Sequence, residues 1–239
     1  MSLLLQYTLI YASVLFLVAL GGCFSEHSGV INLGLEGVMV MGALGGALVM
    51  KYMNGLSGLP MFLMVVVGSV VFGLVFSLLL AVAAINFNAD QTLVGTAMNM
   101  LATAAATVFV KAINMAQDQN NVSSTIQYID QKKSLSFHLG RFEINGFMIL
   151  SILILVGSCI LLYRTRFGLR LMACGAHPQA VGSVGINVYR MRYAGVMISG
   201  ILGGLGGIAY ITAGVSEWKF ENGVAGFGFL ALAVMFFGQ

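Results

Sequence analysis

The sequence contains little charge. Only 8% of its 239 residues are Asp, Glu, Lys or Arg, whereas 59% are hydrophobic. Soluble domains carry roughly a quarter charged residues, so this scarcity excludes an ordinary soluble domain and indicates an integral membrane protein. No part of the sequence resembles a basic nucleic-acid-binding surface. We therefore expect contact with membrane lipid and no nucleic-acid partner.

Proline and cysteine are also scarce. The two prolines, and the absence of ten-residue segments of alternating hydrophobicity, favour transmembrane helices over a β-barrel. Cys23, Cys159 and Cys174 are isolated and odd in number, which predicts small apolar residues rather than disulfides. No Lys or Arg precedes Lys51, so the basic start of a signal peptide is missing. We interpret residues 4–23 as a retained first span.

Motifs for chemistry are missing as well. The sequence has no Gly-Lys dipeptide, which excludes a phosphate-binding loop of the type G-x-x-x-x-G-K-[ST]. It shows neither a nucleophile–base arrangement nor a cluster of metal ligands. We predict no enzymatic activity, no cofactor and no metal, so any energy for transport must come from another chain.

Long apolar runs dominate what is present. Six of them approach the ~20 residues that cross ~30 Å of hydrocarbon, at roughly 4–23, 34–53, 60–85, 92–113, 144–163 and 193–213. A seventh run starts near Phe227 and is too short to cross before Gln239, so we expect the natural protein to continue beyond Gln239. The predicted fold is all-α, a polytopic transmembrane helical bundle that forms one domain over residues 1–239.

The loop at 164–192 fixes the predicted orientation. It contains five arginines and no acidic residue, which places it in the cytoplasm by the positive-inside rule. Counting back through the spans puts the polar stretch 114–143 and the N-terminus outside.

Residues 25–48, SEHSGVINLGLEGVMVMGALGGAL, combine polar groups with many glycines between two apolar runs. A carboxylate such as Glu36 is kept at membrane depth where it meets a partner, a cavity or a pathway. Glycines let the backbone break or let another helix approach closely. We predict a broken or re-entrant element near 25–36 beside a route for solute. The alternative is a cytoplasmic turn followed by a glycine-rich packing helix.

Two later spans carry their own patterns. In the fourth span a polar stripe falls within an arc of about 80°, made of Thr92, Thr96, Asn99, Thr103 and Thr107. It predicts either the lining of a solute path or hydrogen bonds within and between helices; we favour the path for Asn99 and backbone bonding for the threonines. In the sixth span small residues recur every four positions, at Gly195, Ser199, Gly203 and Gly207. This stripe predicts close packing against another helix.

Three motifs resemble one family. The stretch SGVINLGLEGVMVMGA at 28–43 resembles the signature of inner-membrane permease subunits of bacterial ABC importers, in the branch with ribose, nucleoside and branched-chain amino acid permeases. The stretch ADQTLVGTAMNMLA at 89–102 is similar to the nucleoside-type second permease. Residues 167–210 resemble the loop that docks on the ATPase together with the helix that follows it.

The resemblance implies roles for two groups of residues. The translocation path would include Asn32, Gly34, Glu36, Gly37, Thr96, Asn99 and Thr103. The cytoplasmic ATPase coupling loop would include Arg170, Gly175, Pro178, Ala180 and Gly185. The local sequence supports the second group, since Gly175 and Gly185 frame a short predicted helix with Pro178 near its start. We expect Gly175 to hold a backbone conformation that glycine alone adopts readily.

The resemblance also implies partners and a location. It implies an ABC ATPase subunit, a second permease in a heterodimer and an extracytoplasmic solute-binding protein, in the bacterial cytoplasmic (inner) membrane. Two rival functions stay open: a secondary transporter or channel with Glu36 as a proton or ion site, and a non-transporting membrane scaffold. The sequence leaves the solute open among a nucleoside, a simple sugar and a related vitamin such as riboflavin.

Overall fold

The computed structural model describes residues 2–53, 55, 58–126, 136–139, 142–214 and 218–238. Within these residues the chain forms nine α-helices and one β-hairpin, with the bounds α1 Ser2–His27, α2 Leu35–Tyr52, α3 Leu59–Ala81, α4 Gln91–Gln117, β1 Ser136–Leu139, β2 Phe142–Asn145, α5 Gly146–Arg164, α6 Arg166–Ala176, α7 Pro178–Ser183, α8 Val188–Ala209 and α9 Phe227–Phe237. Single π-helical turns extend α3 over Val82–Asn86 and α8 over Tyr210–Gly214. A 3₁₀ turn at Phe220–Asn222 precedes α9.

The predicted polytopic bundle is confirmed. Seven stretches of the described chain are long and apolar enough to cross a membrane, so the chain is a multi-pass membrane protein. They are Leu4–His27, Leu35–Tyr52, Leu59–Asn86, Gln91–Gln117, Gly146–Arg164, Val188–Thr212 and Phe220–Phe237. The last one combines the 3₁₀ turn, a glycine-rich connection and α9, so it is a broken helix rather than a continuous span.

The polar stretch 114–143 leads into structure that the sequence analysis did not predict. β1 and β2 pair as an antiparallel hairpin in which Ser136 lies opposite Asn145 and Leu139 opposite Phe142. The hairpin lies between α4 and α5 along the chain, outside the seven apolar stretches. Strand pairing is possible there because unpaired backbone groups can reach water, which a bilayer does not provide.

Helix α8 is the centre of the bundle because glycine gives it two close-packing faces. A Cβ on Gly207 would overlap the backbone carbonyl of Met39 in α2, and one on Gly203 would lie 3.0 Å from a methyl of Val38. On the other face the Ser69 hydroxyl of α3 donates to the Gly204 carbonyl over 2.6 Å. The predicted packing stripe is confirmed, and a second small-residue face binds α3.

Contacts between helix ends support the predicted alternation of spans. At one end the Tyr193 hydroxyl donates to Asn86 Oδ1 over 3.0 Å, joining the start of α8 to the end of α3. At the other end Lys111 of α4 pairs with Glu221, with Nζ and Oε1 2.7 Å apart. Successive spans that alternate in direction bring these ends together. Which end faces the cytoplasm stays a prediction from the arginines.

An aromatic cluster packs between α1, α8 and the start of α9. The Tyr210 ring lies 5.3 Å from Trp218 in an edge-on arrangement and 4.7 Å from Phe227. Tyr11 of α1 stacks on Phe227 with centroids 5.4 Å apart. The cluster therefore holds the connection from α8 to α9 against α1.

Candidate functional site

The chain breaks between α1 and α2, at residues 28–34. The break is shorter than predicted, since Ser25, Glu26 and His27 belong to the last turn of α1. The Ser25 hydroxyl donates to the Val30 carbonyl over 2.6 Å, and the Ser28 hydroxyl donates to the Ser25 carbonyl over 2.6 Å. The Ser28 hydroxyl thus satisfies a carbonyl in the last turn of α1, and the Ser25 hydroxyl holds the residues that follow the helix. We name residues 28–34 the connecting segment.

Two asparagines tie the connecting segment to other helices. Asn32, 1% exposed, donates from Nδ2 to the Ser199 hydroxyl of α8 over 2.9 Å and accepts from the Gly34 N–H. Asn99 of α4 donates from Nδ2 to the Leu33 carbonyl over 3.0 Å. Its Oδ1 accepts from the Gly37 N–H over 2.7 Å. A single amide thus satisfies one backbone group on each side of the start of α2.

The Asp-Gln pair of the 89–102 motif has a structural explanation. Asp90 is the N-cap of α4 and accepts from the N–H groups of Thr92 and Leu93 over 2.8 and 3.3 Å. These bonds hold the pKa of Asp90 below its usual value, because they stabilise the charged form. Gln91 accepts from the Ile31 N–H over 2.7 Å. The pair therefore starts α4 and attaches it to the connecting segment.

Glu36, the second residue of α2, holds the start of α9. Its Oε1 accepts from the Gly226 N–H over 2.9 Å and its Oε2 accepts from the Gly228 N–H over 2.7 Å. The first N–H groups of a helix have no partner of their own and carry partial positive charge, so a carboxylate suits them. Residue 228 has no room for a side chain, because a Cβ there would lie 2.6 Å from the Glu36 Cα.

Helix α9 consequently begins inside the bundle. It has 11 residues, or about 16 Å of helix, and it packs against α1 and α2. A helix that starts at membrane depth points its positive end at whatever lies beside it, which is how discontinuous helices build binding sites in transporters. In this chain the Glu36 carboxylate already occupies that end.

A groove opens beside this junction, with a volume of about 790 Å³. Its wall on α4 is formed by Thr96, Asn99, Met100, Thr103, Ala104, Thr107 and Val108, and its other side by Glu36, Glu221, Asn222, Gly223 and Phe229. Four of the predicted path residues therefore share one cavity: Glu36, Thr96, Asn99 and Thr103. The other three do not line it: Asn32 is buried against α8, and Gly34 and Gly37 give α4 room to pack closely.

The threonines of the stripe bond to their own helix as well as line the groove. The Thr96 hydroxyl donates to the Thr92 carbonyl over 3.0 Å, and the Thr103 hydroxyl donates to the Asn99 carbonyl over 3.2 Å. The predicted hydrogen bonds within the helix are therefore present, and transport of solute along the stripe stays a prediction. Because the hydroxyl protons are in use, the free lone pairs of Thr96 and Thr103 make this wall a row of hydrogen-bond acceptors.

Both carboxylates at the groove are already paired. Glu36 binds the two N–H groups at the start of α9, and Glu221 binds Lys111. Opposite charge or N–H donors at such short distance compensate a carboxylate. The groove therefore offers hydrogen-bonding groups and apolar contacts from Met100, Val108 and Phe229, without an uncompensated acid among the residues that line it.

The predicted short helix in the arginine-rich loop is present as α7. Pro178 is its first residue, and Gly185 follows it with a φ of +84°, a left-handed conformation that favours glycine. Val181 anchors α7 by its buried side chain, whereas Ala180 is exposed and Val184 is 77% exposed. Arg170 is exposed on α6. The loop thus presents a small protruding helix.

Gly175 needs to be glycine for a different reason from the one expected. It lies within helix α6, so its backbone conformation is open to any residue. A Cβ at this position, however, would lie 2.6 Å from the carbonyl oxygen of His27, and one on Gly29 would lie 3.3 Å from the Gly175 Cα. The end of α6 therefore rests directly on the start of the connecting segment.

Sequence reasoning missed the second half of the site. Glu221, Asn222, Gly223 and Phe229 line the groove, and Gly226 and Gly228 bind Glu36, yet none was a candidate. The available signal was the composition of 221–228, ENGVAGFG, a polar and glycine-rich interruption of an apolar run like the one at 28–37.

The chain is similar to known proteins over nearly its whole length. A family model described as "Branched-chain amino acid transport system / permease component" matches residues 4–239. The guanosine ABC transporter permease protein NupQ of Bacillus subtilis is 39% identical over 100% of this chain and 76% of its own length. The nucleoside ABC transporter permease protein NupC of Lactococcus lactis is 36% identical over 100% of this chain and 76% of its own length. The nucleoside ABC transporter permease protein NupB of the same organism is 22% identical over 94% of this chain and 63% of its own length. No solved structure matches the chain significantly.

Proposed function

The chain belongs to the branched-chain amino acid transport system / permease component family, as a permease subunit of an ABC importer, and from that premise we propose that its solute is an uncharged nucleoside or simple sugar. Its role is transport rather than catalysis. The names of two relatives support a nucleoside: NupQ is named for guanosine and NupC for nucleosides.

The observation that carries this proposal is the paired state of the groove carboxylates. A zwitterionic amino acid needs a fixed charge to replace the water around its ammonium and carboxylate groups, since unpaired charges are costly at membrane depth. Glu36 is engaged by N–H groups and Glu221 by Lys111. An uncharged solute can instead donate its hydroxyls to the acceptor row on α4 and place an apolar ring face against Phe229.

The same bonds argue against the rival in which Glu36 is a proton or ion site. Each Glu36 oxygen accepts from a backbone N–H within 2.9 Å. Protonation of this carboxylate would weaken both bonds at once. A structural cap for α9 is therefore the role that its contacts support.

We further propose the partners that an importer of this family requires. An ATPase would dock on α6 and α7, where exposed Val184 offers an apolar contact on a basic surface. A second permease would cover the open side of the groove, where Met100 is 78% and Val108 67% exposed. Two proteins of Lactococcus lactis named as nucleoside permeases, NupB and NupC, both match this chain, which supports a heterodimer. An extracytoplasmic binding protein would deliver solute at a bacterial inner membrane.

The test is a reconstituted complex of both permeases, the ATPase and the binding protein in liposomes. We expect a nucleoside such as guanosine, or a sugar such as ribose, to stimulate ATP hydrolysis and to be taken up, and leucine to do neither. Stimulation by leucine alone would overturn the assignment of the solute. Solute uptake without any ATPase would instead support the secondary-transporter alternative.

A further inference from the structure

The connecting segment, residues 28–34, lies between the arginine-rich loop at 164–192 and the groove. At its start, the Gly175 position of α6 lies against the His27 carbonyl, and the Gly29 position lies against Gly175. A Cβ on Gly195 of α8 would overlap Ser28. No side chain fits between α6 and the start of the segment, so a movement of α6 toward the segment displaces the segment as well.

The far end of the segment is bound to the helix that carries most of the groove wall. Asn99 of α4 holds the Leu33 carbonyl and the Gly37 N–H. One turn earlier on the same face, a Cβ on Gly95 would lie 2.8 Å from the Leu33 Cβ and 2.9 Å from the Gly34 nitrogen. The segment and α4 are therefore in close contact at Gly95 and are joined by the hydrogen bonds of Asn99.

The second wall of the groove is attached as well. Glu36 follows the segment directly and binds the N–H groups at the start of α9. A shift of the segment therefore reaches α4 through Asn99 and α9 through Glu36. These two helices carry opposite sides of the groove.

We propose that the connecting segment transmits the movement of the docking helices α6 and α7 to the groove, with Asn99 as the residue that positions α4 on it. This inference rests on the proposed function, because it takes α6 and α7 to be moved by an ATPase. The contact of Asn99 with backbone on both sides of the start of α2 gives it this positioning role in addition to its place in the groove wall.

The test uses Gly95→Ala, which presses α4 away from the segment without changing a residue that lines the groove. The matched control is Gly157→Ala in α5, where an added Cβ meets nothing within 4 Å. In the reconstituted complex we measure the ATPase that co-purifies, the rate of ATP hydrolysis, the KM for solute and the number of solute molecules transported per ATP.

We expect Gly95→Ala to retain the ATPase, its hydrolysis rate and the KM for solute. It should lower the solute transported per ATP by about tenfold, the equivalent of one buried Asn99 hydrogen bond lost when α4 is displaced. Gly157→Ala should match the wild type in every measurement. Asn99→Ala, which removes the hydrogen-bond partner of the Leu33 carbonyl and the Gly37 N–H, should lower the number of solute molecules transported per ATP to a similar extent.

Three results would overturn the inference. The first is a Gly95→Ala variant that transports as many solute molecules per ATP as the wild type. The second is loss of the ATPase from both variants, since the segment would then serve assembly. The third is an Asn99→Ala variant with a raised KM and an unchanged ratio, which is expected of a residue that only contacts solute. If the wild-type complex holds no ATPase, the proposed function fails and this inference fails with it.

Discussion

At the scale of single residues, Glu36 and Glu221 are two carboxylates of one groove in different surroundings. Glu36 is 9% exposed and binds two backbone N–H groups, whereas the Glu221 side chain is 47% exposed and binds one lysine. Burial and backbone partners make the first interaction strong, and water screens the second. The same change of chemistry at the two positions should therefore have unequal effects.

We predict that Glu36→Ala lowers the free energy of unfolding by about 3 kcal/mol, since two buried N–H groups lose a charged acceptor. Glu36→Gln keeps one neutral acceptor and should cost about half of that. Glu221→Gln, the control, should cost less than about 1 kcal/mol. The measurement is thermal unfolding of the purified permease in detergent by circular dichroism. Equal losses for the two glutamine variants would contradict the capping role of Glu36.

At the scale of helices, the glycines of α8 give a second prediction. Gly207→Ala places a methyl on the Met39 carbonyl of α2, and overpacking of this kind costs about 2 kcal/mol. Gly157→Ala in α5 meets nothing within 4 Å and should be neutral, or stabilising by up to ~1 kcal/mol through helix propensity. The melting temperatures of the two variants in detergent measure this difference in stability. Unchanged stability of Gly207→Ala would mean that α2 and α8 can separate without cost.

The helices themselves could be predicted from the sequence because an apolar run of span length is a local property. The α4 stripe and the α8 packing face could be predicted for the same reason, since both depend on spacing within one helix. The bond from Glu36 to Gly226 could not, because it joins residues 190 positions apart. A single sequence shows that Glu36 needs a partner, and only the packing shows which one.

Two details of the prediction differ from the structure for a common physical reason. Ser25, Glu26 and His27 were expected to mark a broken backbone, but they are the last turn of α1. Gly175 was expected to need a glycine-only conformation, but it needs room for the His27 carbonyl. Polar residues and glycines have the same sequence signature at a helix end, in a close contact and in a break.

At the scale of the whole molecule, the arginine-rich loop at 164–192 carries two kinds of exposed residue. Val184 is an apolar side chain, 77% exposed, at the end of the protruding helix α7. Arg164, at the end of α5, is one of several arginines that favour a cytoplasmic location. An interface with another protein should depend on the first and tolerate loss of the second.

We predict that Val184→Ser weakens binding of the ATPase by about tenfold, because a buried apolar contact of this size is worth roughly 1–2 kcal/mol. Membrane insertion should be unaffected, since no span is changed. Arg164→Gln should alter neither insertion nor binding. Co-purification of the ATPase at several concentrations measures the effect. Full retention of the ATPase by Val184→Ser would argue against docking on α7.

The aromatic cluster beside α9 has an optical consequence. Trp218 is the only tryptophan of the sequence, and it is buried edge-on against Tyr210, just before the turn that leads to the groove. Indole fluorescence depends on the polarity around the ring and on quenching neighbours, and the indole emission of the unmodified chain comes from this one position. Solute arrival or movement of α9 can therefore be followed as a change in emission wavelength or intensity, without a label.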